Sequence, residues 1–387
     1  MRKDFSPTVF LKSAGTIAEY FGFSPREALR NDPLCRDCVD TFSINIDDDI
    51  EPQPQFSTRA LNNYYQDKLY ALERPVLVYD IETDKKTGVV ALSLQIFNVE
   101  KSIAEAILIQ TNLALLNELG FSDPTVRVNA FGDSDSITRY NRELTNFLRK
   151  RLDLLPALAR EKLKIHPLKS LDELITTEDE LVDKSPSPLE YLNDNSRKHF
   201  REIIEYLDIS NIPYEIDPRM IDNYNLYSGA IFSIEHFNDE DGEPAITISG
   251  GRLDELIERF AEQPTKAVGS VARFKTKNIP QSIPRIKLAN TDVAIIQLGF
   301  GPKIGSLQLI EKLRQQGINI HQDLTNHSLS EQLRAVENQN IRYVIIIGQK
   351  EFMEGTVLLR DLTTRKQETL TEDQLLSKLK RVAKSNK

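Results

Sequence analysis

Between Ser136 and about Tyr206 the chain reads as one helix after another, broken at Pro156, Pro167 and Ser185-Pro186-Ser187-Pro188, yet strand-forming runs flank this stretch on both sides. Upstream, Val76 to Glu82 and Val89 to Val99 are rich in Val, Leu and Ile and are separated by Thr83-Asp84-Lys85-Lys86-Thr87-Gly88, which predicts a hairpin. Ile103 to Leu119 follows as an amphipathic helix ended by Gly120, then Val126 to Phe131 as a further strand. Downstream, strands are predicted at Tyr214 to Asp217, Gly229 to His236 and Ala245 to Ser249, the last two joined by the turn Asn238-Asp239-Glu240-Asp241-Gly242. Strands on either side of a helical block predict one antiparallel sheet with a helical insertion.

The ends of the chain have a different texture. A helix from about Val9 to Phe21 precedes a second short helix, with Ser24 as its cap and Pro25 at its first position. Asp47 to Gln55 is an acidic, proline-broken loop, and Thr58 to Leu72 is helical by the spacing of Leu61, Tyr64, Tyr65, Leu69 and Leu72. Beyond Asn278, Pro280 and Pro284 punctuate a polar linker. Strands at Val293 to Leu298, Ile318 to Leu324, Tyr343 to Ile347 and Gly355 to Asp361, with helices at Gly305 to Gln316, Leu329 to Asn338 and from Glu372, then predict a separate domain around a small, mostly parallel sheet. The expected division is residues 1–279, with the insertion at about 136–206, a linker at 280–288, a second domain at 289–377 and a basic tail at 378–387.

Composition narrows the function classes. No stretch approaches the ~20 apolar residues that span a bilayer, and Met1 to Ser13 lacks a signal core, so no membrane partner and a cytoplasmic address are expected. Cys35 and Cys38 offer half of a zinc site without a second half, and none of His166, His199, His236, His321 and His327 has metal-ligand spacing with another. The net charge of -9 is uneven, since residues 285–387 carry 16 Lys and Arg against 11 Asp and Glu, with bases gathered in the tail. Gly299-Phe300-Gly301-Pro302-Lys303-Ile304-Gly305 follows a strand and opens a helix, but Pro302 removes an N–H that would face a phosphate, so a plain turn is the expectation.

Several runs carry a family likeness. They are Lys68-Leu69-Tyr70 to Pro75-Val76, Val128-Asn129-Ala130-Phe131-Gly132-Asp133, His199-Phe200, Ile212-Pro213-Tyr214-Glu215-Ile216-Asp217-Pro218-Arg219, Gly250-Gly251-Arg252-Leu253-Asp254 and Glu354-Gly355-Thr356-Val357 to Arg360-Asp361-Leu362. In collinear order over roughly residues 55 to 380 the chain resembles histidyl-tRNA synthetase, a class II aminoacyl-tRNA synthetase. The resemblance implies an α+β fold, with a class II synthetase-like antiparallel sheet carrying a helical insertion, followed by a small α/β anticodon-binding-like domain.

The residues that would activate histidine depart from the family pattern. Where the family has R-P-E-G-T, whose glutamate holds the amino group of histidine, this chain has Gln53-Pro54-Gln55-Phe56-Ser57, and Gln55 cannot supply the ion pair. The motif 2 hairpin, which in the family carries an F-R-x-E arginine for the α-phosphate, has no arginine from Pro75 to Val126, and Lys85 and Lys86 at its tip are flexible point charges. The stretch D-P-R-L-V-R-G-L-D-Y-Y is matched by Asp217 to Tyr227, which puts Asp222 where the second arginine stands and Leu226 in place of one tyrosine. A carboxylate there opposes the charge of a phosphoryl transition state and removes a stabiliser worth ~3 to 4 kcal/mol. In motif 3, Ala267-Val268-Gly269 places Thr276 at the final arginine and Lys275 at its glutamate.

Gln95, Tyr227, Gly250, Gly251 and Arg252 are retained and are the candidates for a pocket. The resemblance with these replacements implies a synthetase-like binding protein that does not activate histidine, takes no cofactor, forms a homodimer and binds tRNA or another RNA, or a protein partner. One alternative is a divergent histidine-tRNA ligase using ATP and Mg2+, with Arg252, Arg273 or Arg59 compensating. The other is a regulatory subunit of ATP phosphoribosyltransferase, a paralogue that usually lacks the C-terminal domain.

Overall fold

A computed structural model describes residues 7–30, 67, 69, 72, 74–84, 88–121, 124–221, 224, 226–237, 244–261, 264–275, 288, 293–326, 328–339 and 341–385. In chain order the elements are α1 (Pro7–Tyr20), β1 (Ser24–Pro25), α2 (Arg26–Arg30), β2 (Val76–Asp84), β3 (Val89–Phe97), α3 (Ile103–Glu118), β4 (Val126–Gly132), α4 (Ser134–Arg149), α5 (Ala157–Ile165), α6 (Pro167–Thr176), a 3-10 turn (Pro188–Tyr191), α7 (Asp194–Ile209), β5 (Tyr214–Ile216), β6 (Ser228–Phe237), β7 (Pro244–Arg252), α8 (Asp254–Ala261) and β8 (Ala267–Lys275). The C-terminal elements are β9 (Val293–Gln297), α9 (Phe300–Gln315), β10 (His321–Gln322), α10 (Leu329–Asn338), β11 (Tyr343–Ile347), α11 (Gln349–Glu354), β12 (Thr356–Asp361), β13 (Gln367–Thr371) and α12 (Glu372–Ser385).

The larger sheet has the order β1-β2-β3-β8-β7-β6-β4-β5 and is antiparallel except at its two edges, where β1 pairs with β2 and β5 with β4 in parallel. Side chains alternate between its faces. Val90, Leu92, Leu94, Ile96, Phe232, Ile246, Ile248, Val268 and Phe274 face the layer of α1, α3 and α7, while Val76, Val78, Phe97, Ile231 and Ala267 face the helical insertion. Helix α3 is the main departure from expectation in this half. The sequence reads as an amphipathic helix, yet nearly every residue from Ile103 to Leu116 is buried. The reason lies on its outer side, where α9 of the C-terminal half packs, so both flanks of α3 meet apolar partners.

Polar groups anchor the insertion at its base. Asp133 caps α4 by accepting from the Ser136 N–H at 3.0 Å, and its second oxygen accepts from Asn193 Nδ2 at 2.5 Å, tying the end of the insertion to its start. Gly132 sits at φ +77°, and a Cβ there would come within 2.7 Å of the Ser136 Cβ, so glycine alone suits this corner.

The smaller sheet has the order β10-β9-β11-β12-β13, parallel through β11 and antiparallel beyond it. The sequence predicts a mostly parallel sheet; the return from β11 to β12 needs only the short α11 and Gly355, held at φ +63°, and such a tight return makes antiparallel neighbours. Strand β10 is two residues long, Ser24 and Pro25 pair with β2 rather than capping α2, and β8, α8, α11 and β13 were not anticipated. The expected helix over Thr58 to Leu72 and the linker 280–288 fall mostly outside the described residues.

The two halves share one core. Ile304, Leu307, Ile310 and Leu313 of α9 join Phe10, Ala14, Ile17, Leu108 and Leu115 in a single apolar cluster. At its edge the Tyr20 hydroxyl lies 3.1 Å from the Ile310 carbonyl oxygen and 3.0 Å from that of Ile318, Gln308 Nε2 donates to the Ile209 carbonyl at 2.7 Å, and Arg314 donates to Glu118 at 2.8 Å.

Candidate functional site

Register decides which of the candidate residues share a face, because directly opposed residues of an antiparallel pair project to the same side. Gln95 lies opposite Val78 and Gly269, and Gly269 lies opposite Gly251, which in turn faces Ile231. These belong to the insertion side of the large sheet. Gly251 and Gly269 form a floor without side chains there, roofed by two retained candidates. A Cβ on Gly269 would meet the Gln95 amide within 2.4 Å, and one on Gly251 would lie 3.0 Å from the Tyr227 ring. Gln95 is buried, and its Oε1 has no hydrogen-bond partner.

Gly250 and Arg252 are on the opposite side. A Cβ on Gly250 would strike the Phe232 ring at 2.4 Å, and Arg252 opposes Val268 of the helix-facing core. Arg252 therefore takes no part in the cleft above the floor. Its Nε donates to Glu105 Oε1 at 2.9 Å and its Nη2 to the Glu100 carbonyl at 2.8 Å, while His199 Nε2 lies 2.7 Å from the same Glu105 oxygen. Burial pushes the Glu105 carboxyl up, but Arg252 and then His199 pull it down to about 2. Sequence reasoning missed Glu105; the signal was a lone acid within the apolar run Ile103 to Leu116.

The cleft face carries charge beyond the floor. Arg273 opposes Ala91 and Thr247 there, and burial lowers its guanidinium while neighbouring Tyr227 raises it. Two further arginines on this face were not singled out from sequence. Arg26 Nε pairs with Asp67 at 2.7 Å and its Nη1 with Asp80 at 3.6 Å, and Arg127 pairs with Glu235 at 2.6 Å and Asp217 at 3.6 Å. Asp217 also accepts from the Arg219 N–H at 3.0 Å, and Asn129 Nδ2 donates to the Met220 carbonyl at 3.0 Å, which ties the 217–221 segment to β4. Gln55, Asp222, Thr276, Arg59, Lys85 and Lys86 lie outside the described residues. Among the described residues no group of three or more His, Cys, Asp or Glu is placed to hold a metal ion, and no helix is long and apolar enough to cross a membrane.

Comparison with known proteins agrees with this architecture. Residues 292–382 match the model of the anticodon binding domain. The histidine–tRNA ligase of Streptococcus thermophilus is 27% identical over 357 residues, covering 89% of this chain and 83% of the relative, and that of Acholeplasma laidlawii is 25% identical over 392 residues, covering 98% and 93%. Over most of its length the chain is similar to histidine–tRNA ligases. In fold it is similar to apo histidyl-tRNA synthetase from S. aureus, with a TM-score of 0.52, 16% identity and 98% of both chains covered. The shared runs at 128–133, 199–200 and 250–254 have identifiable packing roles here: the first ties β4 to the 217–221 segment and closes the base of the insertion, and the other two meet at Glu105 through His199 and Arg252.

Proposed function

We propose that this histidyl-tRNA synthetase-like chain does not activate histidine and acts by binding tRNA or another RNA through its C-terminal unit. The observation that carries the reading is the state of Arg26 and Arg127 on the cleft face. Activation of a carboxylate by ATP needs guanidinium groups that can turn to the phosphates as charge develops. Arg26 and Arg127 are each held between two carboxylates, and Arg252 is spent on the far side of the sheet. Recruiting Arg26 or Arg127 to a triphosphate would strip Asp67, Asp80, Asp217 or Glu235 of a counter-charge beside an incoming polyanion. With Gln55, Asp222 and Thr276 standing where the family has charged groups, the same face fits magnesium triphosphate poorly.

Binding and chemistry are separated by one pair of assays on the full chain. A mixed tRNA pool is expected to bind with an affinity that falls steeply as salt rises, because the contacts are to phosphates. Charging of the same pool with labelled histidine is expected to stay at background. Charging above background overturns the inactive reading, and failure to bind any tRNA at low salt overturns the RNA reading.

A further inference from the structure

Large aliphatic side chains exposed on a folded surface are informative when they cluster. Among the described residues seven large hydrophobics are exposed, and four of them, Leu152, Leu154, Leu158 and Ile165, fall in the helical insertion. Leu158 and Ile165 are two turns apart on one side of α5, and Leu154 lies in the turn that precedes the helix. Each of these three is more than half exposed.

This side of α5 sits on a rigid support. Ala159, Leu168, Leu171 and Leu174 are buried beneath it, Ser170 Oγ donates to the Ala159 carbonyl at 2.8 Å, and Lys162 pairs with Glu173 at 2.8 Å across α5 and α6. The leucines are therefore presented by a packed helical hairpin.

Its charge is opposite to that of the chain. Residues 149–169 hold seven Lys and Arg against two Asp and Glu, in a protein of net charge -9. Arg149, Lys150, Arg160 and Lys164, within a few residues of these side chains in sequence, are exposed. An acidic partner is thus repelled by most of the molecule and attracted here. Nucleic acid would use the bases and leave the leucines wet, whereas an acidic helix with its own aliphatic stripe would satisfy both at once.

We propose that the α5 segment of the helical insertion, with exposed Leu154, Leu158 and Ile165 and the neighbouring bases Arg149, Lys150, Arg160 and Lys164, docks an acidic amphipathic helix of a partner protein. The site is distinct from the cleft and independent of the C-terminal unit, so it stands whether or not the chain binds RNA.

The test uses the full-length chain and three fluorescent probes: a designed acidic peptide of about 18 residues with leucines at i, i+4 and i+7, an oligouridylate, and vesicles containing phosphatidylglycerol. The variant is Leu158→Gln with Ile165→Gln, two exposed positions whose change should leave the melting temperature in place. The peptide is expected to bind the wild-type chain and to lose about tenfold or more in affinity with the variant, as for hot-spot residues at an interface. A second variant, Arg149→Ser with Lys150→Ser, should weaken the peptide at low salt and converge with wild type at high salt. The proposal is overturned if the peptide does not bind, if it binds the glutamine variant as well as wild type, or if that variant instead abolishes oligouridylate or vesicle binding.

Discussion

Arg314→Met is expected to destabilise the protein by ~3 to 5 kcal/mol, the usual cost of removing one partner from a buried ion pair. Arg314 of α9 presents its fork to Glu311, with Nε and Nη2 donating at 2.8 and 2.9 Å, while Nη1 reaches Glu118 of α3 at 2.8 Å. All three side chains are largely shut off from water. Methionine fills the volume but leaves two carboxylates buried together with no cation. Lysine should rescue little, because one ammonium cannot serve both a bidentate and a monodentate acceptor. Urea unfolding gives the loss, and hydrogen exchange along α3 and α9 gives its place, since both helices should lose protection together. A change confined to α9 would mean that the ion pair holds only the C-terminal half and not the joint.

Glu105→Gln is expected to cost a similar ~3 to 5 kcal/mol, for the same reason in mirror image. The amide keeps the shape of the carboxylate but leaves the buried Arg252 without its principal counter-charge, and the 2.7 Å contact with His199 loses its ionic character. The pH signature separates this role from simple packing. The folded carboxyl lies at about 2, below its ordinary value of 4.5, so its stabilisation is fully present above pH 4.5 and is lost as pH falls toward 2. The wild-type and variant stability curves should therefore converge through that window. A constant gap from pH 7 down to pH 2 would contradict the ionic account. Replacing Glu105 and Arg252 together by methionine should be milder than the single change, which a double-mutant cycle measures.

Both networks explain where sequence reasoning ran short. The antiparallel sheet and its helical insertion were legible because strand and helix periodicities differ and because Gly and Pro mark the boundaries. The faces were less so. Gly250, Gly251 and Arg252 are adjacent in sequence and read as one pocket element, but a strand alternates, and only Gly251 looks into the cleft. Alternation along the strand by itself sends Arg252 to the face opposite Gly251. Helix α3 reads as amphipathic, yet Gln110 hydrogen-bonds the Tyr206 hydroxyl and Asn112 donates to Ser270, so these polar residues are internal ties. Arg26 and Arg127 entered the cleft unannounced because their partners, Asp67 and Asp80 or Asp217 and Glu235, are distant in sequence and only the sheet order brings them together. Strand β8 was hidden by its small residues, among them Gly269, whose missing side chain leaves room for Gln95.

Arg26 and Arg127 on the cleft face are tied to carboxylates, and ATP–pyrophosphate exchange with histidine tests most directly whether such a face can activate the amino acid. The purified full-length chain, folded and at micromolar concentration, is expected to show no histidine-dependent exchange above background at any magnesium concentration. Clear histidine-dependent exchange by the pure protein would contradict the inactive reading.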